Sequence, residues 1–201
     1  MNLAAILNPP PVFVEIGPDW LKARHGDNGV ELPLERGPGG NLTAQGKEKT
    51  IAALKDFLKT KNWQPRARAW CAINSRGVSL RRLSLPAGTK EEFHQRLLLQ
   101  IEGEFPLPPD ELAWGWQSLG QPQPSSGAMP RQDLLVAAVK KELVTEYYEI
   151  LRACWTEPAF TLASMARWNF GGQPTNSFAM LDIGATQSEL TVFENSVPTS
   201  S

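Results

Sequence analysis

The sequence predicts an α/β fold in which two similar hairpins frame a core of strands and helices. Apolar residues alternate with polar ones in several short runs, as in half-buried strands, and recur every three or four positions in longer segments, as on one side of a helix. The segments "VFVEIGPDWLKA" (12–23) and "FAMLDIGATQSELTV" (178–192) share the pattern apolar–acid–apolar–Gly followed by a return strand. One such hairpin near each end of an α/β core is a specific arrangement.

The N-terminal part of the chain is predicted to form three strands, a loop and a helix. The strands cover 12–16, 20–24 and 29–35, where apolar residues alternate with polar ones. The glycine-rich stretch 36–46 lacks the Gly-Lys-Ser/Thr sequence of a P-loop, so we interpret it as a linker. Apolar residues at helical spacing predict a helix over 47–61.

Further along the chain, the pattern predicts strands and helices in alternation. A strand is predicted at 67–73 and another at 77–86, and a helix over 88–105 has a recognisable start, because Thr89 precedes Glu92 by the three residues of a capping box. The remaining predicted elements are a strand at 111–119, a solvated turn at 120–130, a central buried strand at 132–139, a helix at 141–154, a short strand at 157–160, a helix at 161–169, a joint at Gly171 and Gly172, the hairpin at 178–194 and a polar tail.

Composition and charge exclude several classes of protein. The net charge of −1 predicts no nucleic-acid partner and no attraction to an anionic membrane surface. The apolar runs are shorter than the ~20 residues of a membrane span, and the first residues lack the basic region of a signal peptide, so we expect no direct membrane insertion. Cys71 and Cys154 stand in apolar surroundings, which indicates buried free thiols in a reducing cytoplasm.

Most other polar residues fit ordinary structural roles. His25 and His94 have no cysteine or acid at ligand spacing, so surface positions are predicted. Cys71 has no evident partner for nucleophilic catalysis. Glu102 and Glu104 are two residues apart in a helix, which predicts a solvated face rather than an acid–base pair.

Two tryptophans allow a less ordinary interpretation. Trp114 and Trp116 point to the same side of a strand, because side chains alternate. They either pack in a core or form a wall that binds a peptide, since tryptophan is enriched in binding hot spots.

Five segments in order resemble the PilM-type type IV pilus assembly proteins, a branch of the actin-like ATPase superfamily that also contains FtsA. The two hairpins are similar to the phosphate-1 and phosphate-2 motifs of that superfamily. The three segments between them that resemble PilM are "AINSRGVSLRRLSLPAG", "LLLQIEGEFPLPPDEL" and "DLLVAAVKKELVTEYYEILRACWTEP". The resemblance covers most of residues 12–194, and the cytoplasmic domain of the secretion protein GspL shares the fold.

The resemblance implies an actin-like, ribonuclease H-like lobe with an inserted small α+β subdomain and the start of a second lobe. The implied divisions are 1–75 for the main sheet and helix of the first lobe, 76–140 for the inserted subdomain, 141–176 for the return to the first lobe, and 177–201 for the initial hairpin of an incomplete second lobe.

The resemblance also implies a site for ATP and Mg²⁺. In the family, an acid in each hairpin positions Mg²⁺-bound waters, and backbone N–H groups of the turns hold phosphate oxygens. The matching residues here are candidates for binding this cofactor, and none is assigned to catalysis or to direct metal ligation. They are Glu15, Gly17, Lys22, Asp182, Gly184, Ala185 and Thr186.

The first hairpin departs from the family pattern. Glu15 replaces an aspartate, Pro18 removes a backbone N–H, and Asp19 adds a negative charge beside the place of a negative ligand. An alternative interpretation of Glu15 and Lys22 is a solvated pair of side chains on a hairpin. The alternative for Asp182 is an acid in a turn at the end of a strand. The family's adenosine segment lies beyond Ser201. We therefore expect no cofactor for this chain, with ATP and Mg²⁺ the alternative if the family site is functional.

The function implied is that of a non-enzymatic cytoplasmic adaptor in a type IV pilus, secretion or competence machine. In PilM, a groove beside the inserted subdomain receives the N-terminal cytoplasmic peptide of the membrane protein PilN, which implies a PilN-like partner and a location peripheral to the inner membrane. An ATP-binding fragment of an actin-like ATPase and a GspL-like type II secretion component are the alternatives. An unpaired strand edge in 178–194 predicts either a homo-oligomer or dependence on a partner.

Overall fold

The computed structural model describes residues 11–60, 68–73, 78–125, 128–154, 157–167, 177–184, 188–194 and 197–200. The chain divides into two compact units. The first comprises Met1–Arg76 with Leu143–Ala166, and the second comprises Gly77–Glu142 with Arg167–Ser201.

Strands and helices alternate along most of the chain. The strands are β1 (Val12–Ile16), β2 (Trp20–His25), β3 (Asn28–Pro33), β4 (Arg68–Ile73), β5 (Ser79–Pro86), β6 (Leu112–Ser125), β7 (Ala128–Lys140), β8 (Glu157–Leu162), β9 (Phe178–Ile183), β10 (Ser188–Glu194) and β11 (Val197–Ser200). The helices are α1 (Ala44–Thr60), α2 (Lys90–Glu104), α3 (Lys141–Arg152) and α4 (Ala163–Arg167).

The first unit contains a five-stranded sheet in the order β3-β2-β1-β4-β8. β1, β2 and β3 form an antiparallel meander, and β4 and β8 continue the sheet in parallel to β1. Alternate residues of β1, β2 and β4 are buried, as the period of a strand requires when one face packs against the core. The opposite face exposes Phe13, Trp20 and Trp70.

The second unit contains two three-stranded sheets, in the orders β5-β7-β6 and β11-β10-β9. Leu97 and Ile101 of α2 are buried in one cluster with Leu83, Leu134 and Val136 of the first of these sheets, which gives this part of the unit a core of its own. β7 is the central strand, and its run of buried residues confirms the prediction for 132–139.

The helix over 90–104 begins as the sequence predicts. The Thr89 hydroxyl accepts a hydrogen bond from the backbone N–H of Glu92, and the Glu92 carboxylate accepts one from the N–H of Thr89. This reciprocal pair satisfies two backbone donors that the first turn of a helix leaves without partners, so the predicted capping box is confirmed.

Three local predictions were wrong, and in each case tertiary pairing overrode local composition. The stretch 120–130 is not a solvated turn but the distal half of a long β6–β7 hairpin. Pro122 and Pro124 are tolerated there because β6 is an edge strand, where a missing N–H costs no ladder bond. His25 is buried rather than at the surface, and the predicted polar tail includes β11, which pairs with β10.

The other predicted elements are confirmed within a few residues, but one prediction is not tested. The joint at Gly171 and Gly172 lies outside the described residues.

Candidate functional site

The first acid–glycine hairpin is formed by β1 and β2, which are joined by a tight turn. Glu15 lies opposite Lys22, and the N–H of Gly17 donates to the carbonyl of Trp20 at 2.9 Å, closing the turn. Lys22 lies 3.8 Å from Glu31 of β3, and both side chains are exposed. The structure thus brings Glu15, Gly17 and Lys22 together in one hairpin.

Arg36 braces this turn from the loop that precedes α1. Its Nε donates to the carbonyl of Pro18, and its Nη2 donates to the carbonyl of Gly17 at 2.9 Å and to the Tyr147 hydroxyl at 3.1 Å. Its Nη1 donates to the carbonyl of Gly40 at 2.8 Å. One guanidinium group therefore fixes the turn, the glycine-rich loop and α3 relative to one another within the first unit.

The surroundings of Arg36 are polar and largely shielded from solvent. Glu146 lies 4.0 Å from Nη1, and its other carboxylate oxygen accepts a hydrogen bond from the N–H of Leu42. Burial raises the pKa of Tyr147, while the positive charge of Arg36 acts in the opposite direction. Sequence reasoning missed this cluster, because an arginine within a glycine-rich loop carries no signal of its distant partners.

The second acid–glycine hairpin is formed by β9 and β10 in the other unit. Asp182 lies directly opposite Glu189 across the two strands, and Gly184 follows the end of β9 and is exposed. Ala185 and Thr186 lie outside the described residues. On the same face, Phe178 and Phe193 stack with ring centroids 4.6 Å apart.

The residues predicted to bind phosphate are thus divided between the two units. Within the described ranges, no group of three or more His, Cys, Asp or Glu side chains is arranged to hold a metal ion.

The two cysteines are buried, as predicted. Burial raises the pKa of the Cys154 thiol to about 11 and raises that of Cys71 further. Both side chains therefore remain protonated thiols near neutral pH, and a thiolate nucleophile is disfavoured at either position.

Trp114 and Trp116 lie on the same face of β6, as predicted, and each contacts an aromatic side chain of α2. The Trp114 ring stacks on His94 at 6.1 Å between centroids, and the Trp116 ring is tilted against Phe93 at 5.6 Å. Trp114 packs against the core of the second unit, whereas 46% of Trp116 is exposed. Core packing is therefore confirmed for Trp114, whereas peptide binding by Trp116 stays a prediction.

Among the described residues, every helix is too short or too polar to span a bilayer.

Comparison with solved structures identifies the fold. The chain is similar to a chain of a PilM–PilN type IV pilus biogenesis complex, with a TM-score of 0.69 and 22% identity over 94% of this chain and 59% of that one. It is also similar to the cytoplasmic domain of EpsL, an inner-membrane component of the type II secretion system of Vibrio cholerae, with a TM-score of 0.59 and 10% identity over 94% of this chain and 70% of that one.

The chain is also similar to a third solved structure, whose fold is described as actin-like. It is a Bacteroides thetaiotaomicron protein with an actin-like ATPase fold, with a TM-score of 0.50 and 12% identity over 98% of this chain and 70% of that one. This chain has an actin-like fold. The fold class predicted from the sequence is confirmed. Comparison with protein-family models and with curated proteins gives no match. The chain spans about three fifths of the matched chain of the PilM–PilN complex.

The turn of the first hairpin directs two backbone carbonyl groups at the charged side chain of Arg36. An anion site in a tight turn requires several backbone N–H groups that converge on one point. Here the N–H of Gly17 is bonded within the turn, Pro18 has none, and the carbonyls of both residues are directed at Arg36. Asp19 adds an exposed carboxylate. The hydrogen bonds from Arg36 stabilise the conformation of this turn.

Proposed function

We propose that this chain is part of a non-enzymatic adaptor in a type IV pilus or a related secretion or competence machine, and that it binds the cytoplasmic peptide of a PilN-like inner-membrane protein. The observation that carries the proposal is the similarity to a chain of a PilM–PilN complex, which extends over 94% of this chain. On this proposal the protein lies in the cytoplasm and is held at the inner membrane through its partner.

The geometry of the first hairpin supports a role without ATP hydrolysis. Catalysis of phosphoryl transfer depends on positioned donors around the phosphates. Arg36 donates to carbonyl groups of the turn, the N–H of Gly17 is occupied, and Pro18 supplies none. The guanidinium group of Arg36 is engaged in hydrogen bonds within the first unit.

An ATP-binding fragment of an actin-like ATPase is the second candidate. It is favoured by the second hairpin, which keeps the acid at Asp182 and the glycine at Gly184. On this alternative, Mg²⁺-ATP binding would require Asp182, whereas on the adaptor proposal substitution of Asp182 leaves partner binding unchanged.

A GspL-like role in type II secretion is the third candidate, supported by the similarity to EpsL. The pilus-adaptor role requires an inner-membrane partner, and the GspL-like role requires a secretion ATPase as partner. They differ in which partner is bound, so an experiment on partners separates them.

The proposal is tested by capture of this chain on immobilised N-terminal cytoplasmic peptides of the inner-membrane proteins encoded by adjacent genes. We expect one immobilised peptide to capture the chain. The same peptide in reversed sequence should not capture it. Failure of every such peptide to bind would contradict the adaptor proposal. Capture by a cytoplasmic secretion ATPase instead would favour the GspL-like alternative.

A further inference from the structure

The outer edge of β3 is able to pair with another strand. β3 ends the order β3-β2-β1-β4-β8, so within the described ranges no strand pairs with its outer edge. The N–H of Leu34 donates to the carbonyl of Asp19, which means that every second residue from Leu34 back to Asn28 is bonded to the β2 side. The backbone groups of Gly29 and Glu31 therefore point away from β2, and both residues have an N–H and a carbonyl group.

One face of β3 is apolar along this edge. Val30 and Leu32 line a cavity of about 460 Å³ together with Phe57 of α1. Asp56 also lines this cavity, and its carboxylate lies 3.9 Å from the Nζ of Lys59 in the same helix. A strand added to β3 would bring alternate side chains to the mouth of this cavity, where apolar groups are favoured.

Charged side chains alternate in sign across the other face of the sheet. Glu15 of β1 lies opposite Lys22 of β2, and Lys22 lies opposite Glu31 of β3 with a separation of 3.8 Å. Two residues along β2, Arg24 lies opposite Gly29, which has no side chain. A carboxylate on an added strand that faces Gly29 can therefore approach Arg24, because no side chain of β3 stands between them.

We propose that two copies of this chain pair through β3 in antiparallel orientation, with Val30 of each copy at the two-fold axis. Gly29 of one copy then faces Glu31 of its partner, and each such pair exchanges two hydrogen bonds. Glu31 of the partner copy lies next to Gly29 and beside Arg24, so the alternation of charge continues from one copy into the other. The two sheets become one continuous sheet, and this two-fold contact closes on itself.

The charges and a proline favour this register over the adjacent ones, which differ by two residues because paired side chains must share a face. In one of them Glu31 would directly oppose Glu31 of the partner copy, and Pro33, which has no N–H, would face Gly29. In the other, Glu31 would oppose Asp27 of the partner copy, which again places like charges together. This self-complementarity of charge is the reason to assign a second copy of the chain to the edge.

The inference does not depend on the proposed function. It also concerns a different edge from the one in 178–194, since β3 belongs to the first unit and β9 to the second. To keep the two edges separate, each variant below is measured both alone and combined with Ile183→Lys, which places a charge on β9.

The register is tested by disulfide cross-linking of the full chain with copper–phenanthroline as oxidant. Opposed residues of the non-hydrogen-bonded pairs have Cα atoms about 4.5 Å apart, which a disulfide can span. We expect Val30→Cys to form a covalent dimer. Asn28→Cys and Leu32→Cys should form little alone and a dimer when mixed, because these two positions face each other across the interface. The unmodified chain is the control, since Cys71 and Cys154 are buried.

The pairing itself is tested by sedimentation velocity of Gly29→Pro, with Gly29→Ala as the matched control. Proline removes an N–H that points away from β2, so the sheet within the chain keeps its bonds while each copy loses one bond to its partner. Alanine keeps this N–H, and its Cβ would lie 3.6 Å from the Ala23 carbonyl oxygen, an ordinary contact. We expect Gly29→Pro to raise the dimer dissociation constant by about tenfold and Gly29→Ala by less than about twofold.

Three results would each overturn the inference. They are a chain that remains monomeric at high concentration, equal association of Gly29→Pro and Gly29→Ala, and no more covalent dimer from Val30→Cys than from Asn28→Cys. If the chain is monomeric and the tail peptide captured in the previous experiment slows amide hydrogen exchange at 29–31, the edge binds that peptide and the inference is wrong. Circular dichroism establishes that the variants fold, and if Gly29→Pro does not, the cross-linking pattern alone decides.

Discussion

At the scale of single residues, Arg36 explains why the first acid–glycine turn keeps its shape. Its guanidinium group donates to three backbone carbonyls and to the Tyr147 hydroxyl. Hydrogen bonds from a charged donor to shielded acceptors contribute more than neutral ones, and their loss leaves buried acceptors without a partner. The stability of the first unit should therefore depend strongly on this one side chain.

We expect Arg36→Ala to lower the free energy of unfolding by about 2–3 kcal/mol. Arg36→Lys should recover only part of this loss, because an ammonium group cannot reach four acceptors in the geometry of the planar fork. The measurement is urea-induced unfolding followed by circular dichroism. Arg24→Ala is the matched control, since Arg24 donates to one exposed carbonyl, and it should change stability by less than about 0.5 kcal/mol. Equal losses in Arg36→Ala and Arg24→Ala would contradict the bracing role.

The buried thiols predict how stability changes in alkaline solution. The pKa of Cys71 and that of Cys154 are raised above the ordinary thiol value of 9.0. Above pH 9 the unfolded chain loses these protons while the folded chain keeps them, so the unfolded state binds fewer protons and stability falls as pH rises. The contribution of the neutral thiols is fully present below about pH 9.

We expect the double variant Cys71→Ala, Cys154→Ala to lose less stability between pH 8 and pH 10.5 than the unmodified chain does. Tyr147, whose pKa is also raised, remains in both proteins and contributes the same trend to each. Unfolding in urea at the two pH values measures the difference. Identical pH dependence of the two proteins would show that the thiols are accessible to solvent.

Among the secondary-structure elements, helix α2 begins at a complete capping box. Its capping box satisfies two orphan donors, and Leu97 and Ile101 anchor the helix to the sheet of the second unit. We expect Thr89→Ala to destabilise the chain by about 1 kcal/mol, and Thr89→Ser to restore most of the loss, because serine keeps the accepting oxygen. A thermal melt of both variants is the measurement, and no difference between them would contradict the capping role.

The elements that could be predicted are those whose sequence patterns lie within a short, contiguous segment. The capping box lies within four residues, and each acid–glycine hairpin is a contiguous segment, so both could be identified from sequence. The hairpin at 120–130 and the strand at 197–200 have polar, proline-rich sequences that become strands because a partner pairs with them. The Arg36 cluster joins residues 111 positions apart, which no local pattern reveals.

At the scale of the whole molecule, the sheet of β9, β10 and β11 has an exposed aliphatic face. Leu181 lies opposite Leu190, and Ile183 continues the same face, with 76% of its surface exposed. β9 is also an edge strand in the order β11-β10-β9. Exposed aliphatic side chains beside an open edge favour association with another chain.

We therefore expect this chain to self-associate in a concentration-dependent manner. Ile183→Lys and Leu190→Lys should shift the population toward monomer, because a charged group on this face opposes contact. Leu99→Lys, a substitution of an equally exposed apolar residue on α2, should leave the distribution unchanged. Sedimentation velocity over a wide concentration range is the measurement, and a stable monomer at high concentration would count against self-association.

We propose that this actin-like chain, whose first hairpin is held by Arg36, binds a protein partner and no nucleotide. Calorimetric titration of Mg²⁺-ATP into the chain tests it most directly. We predict no binding with a dissociation constant below about 1 mM, for the unmodified chain and for Asp182→Asn alike. Micromolar binding of Mg²⁺-ATP that Asp182→Asn abolishes would contradict the claim and would establish the ATP-binding alternative.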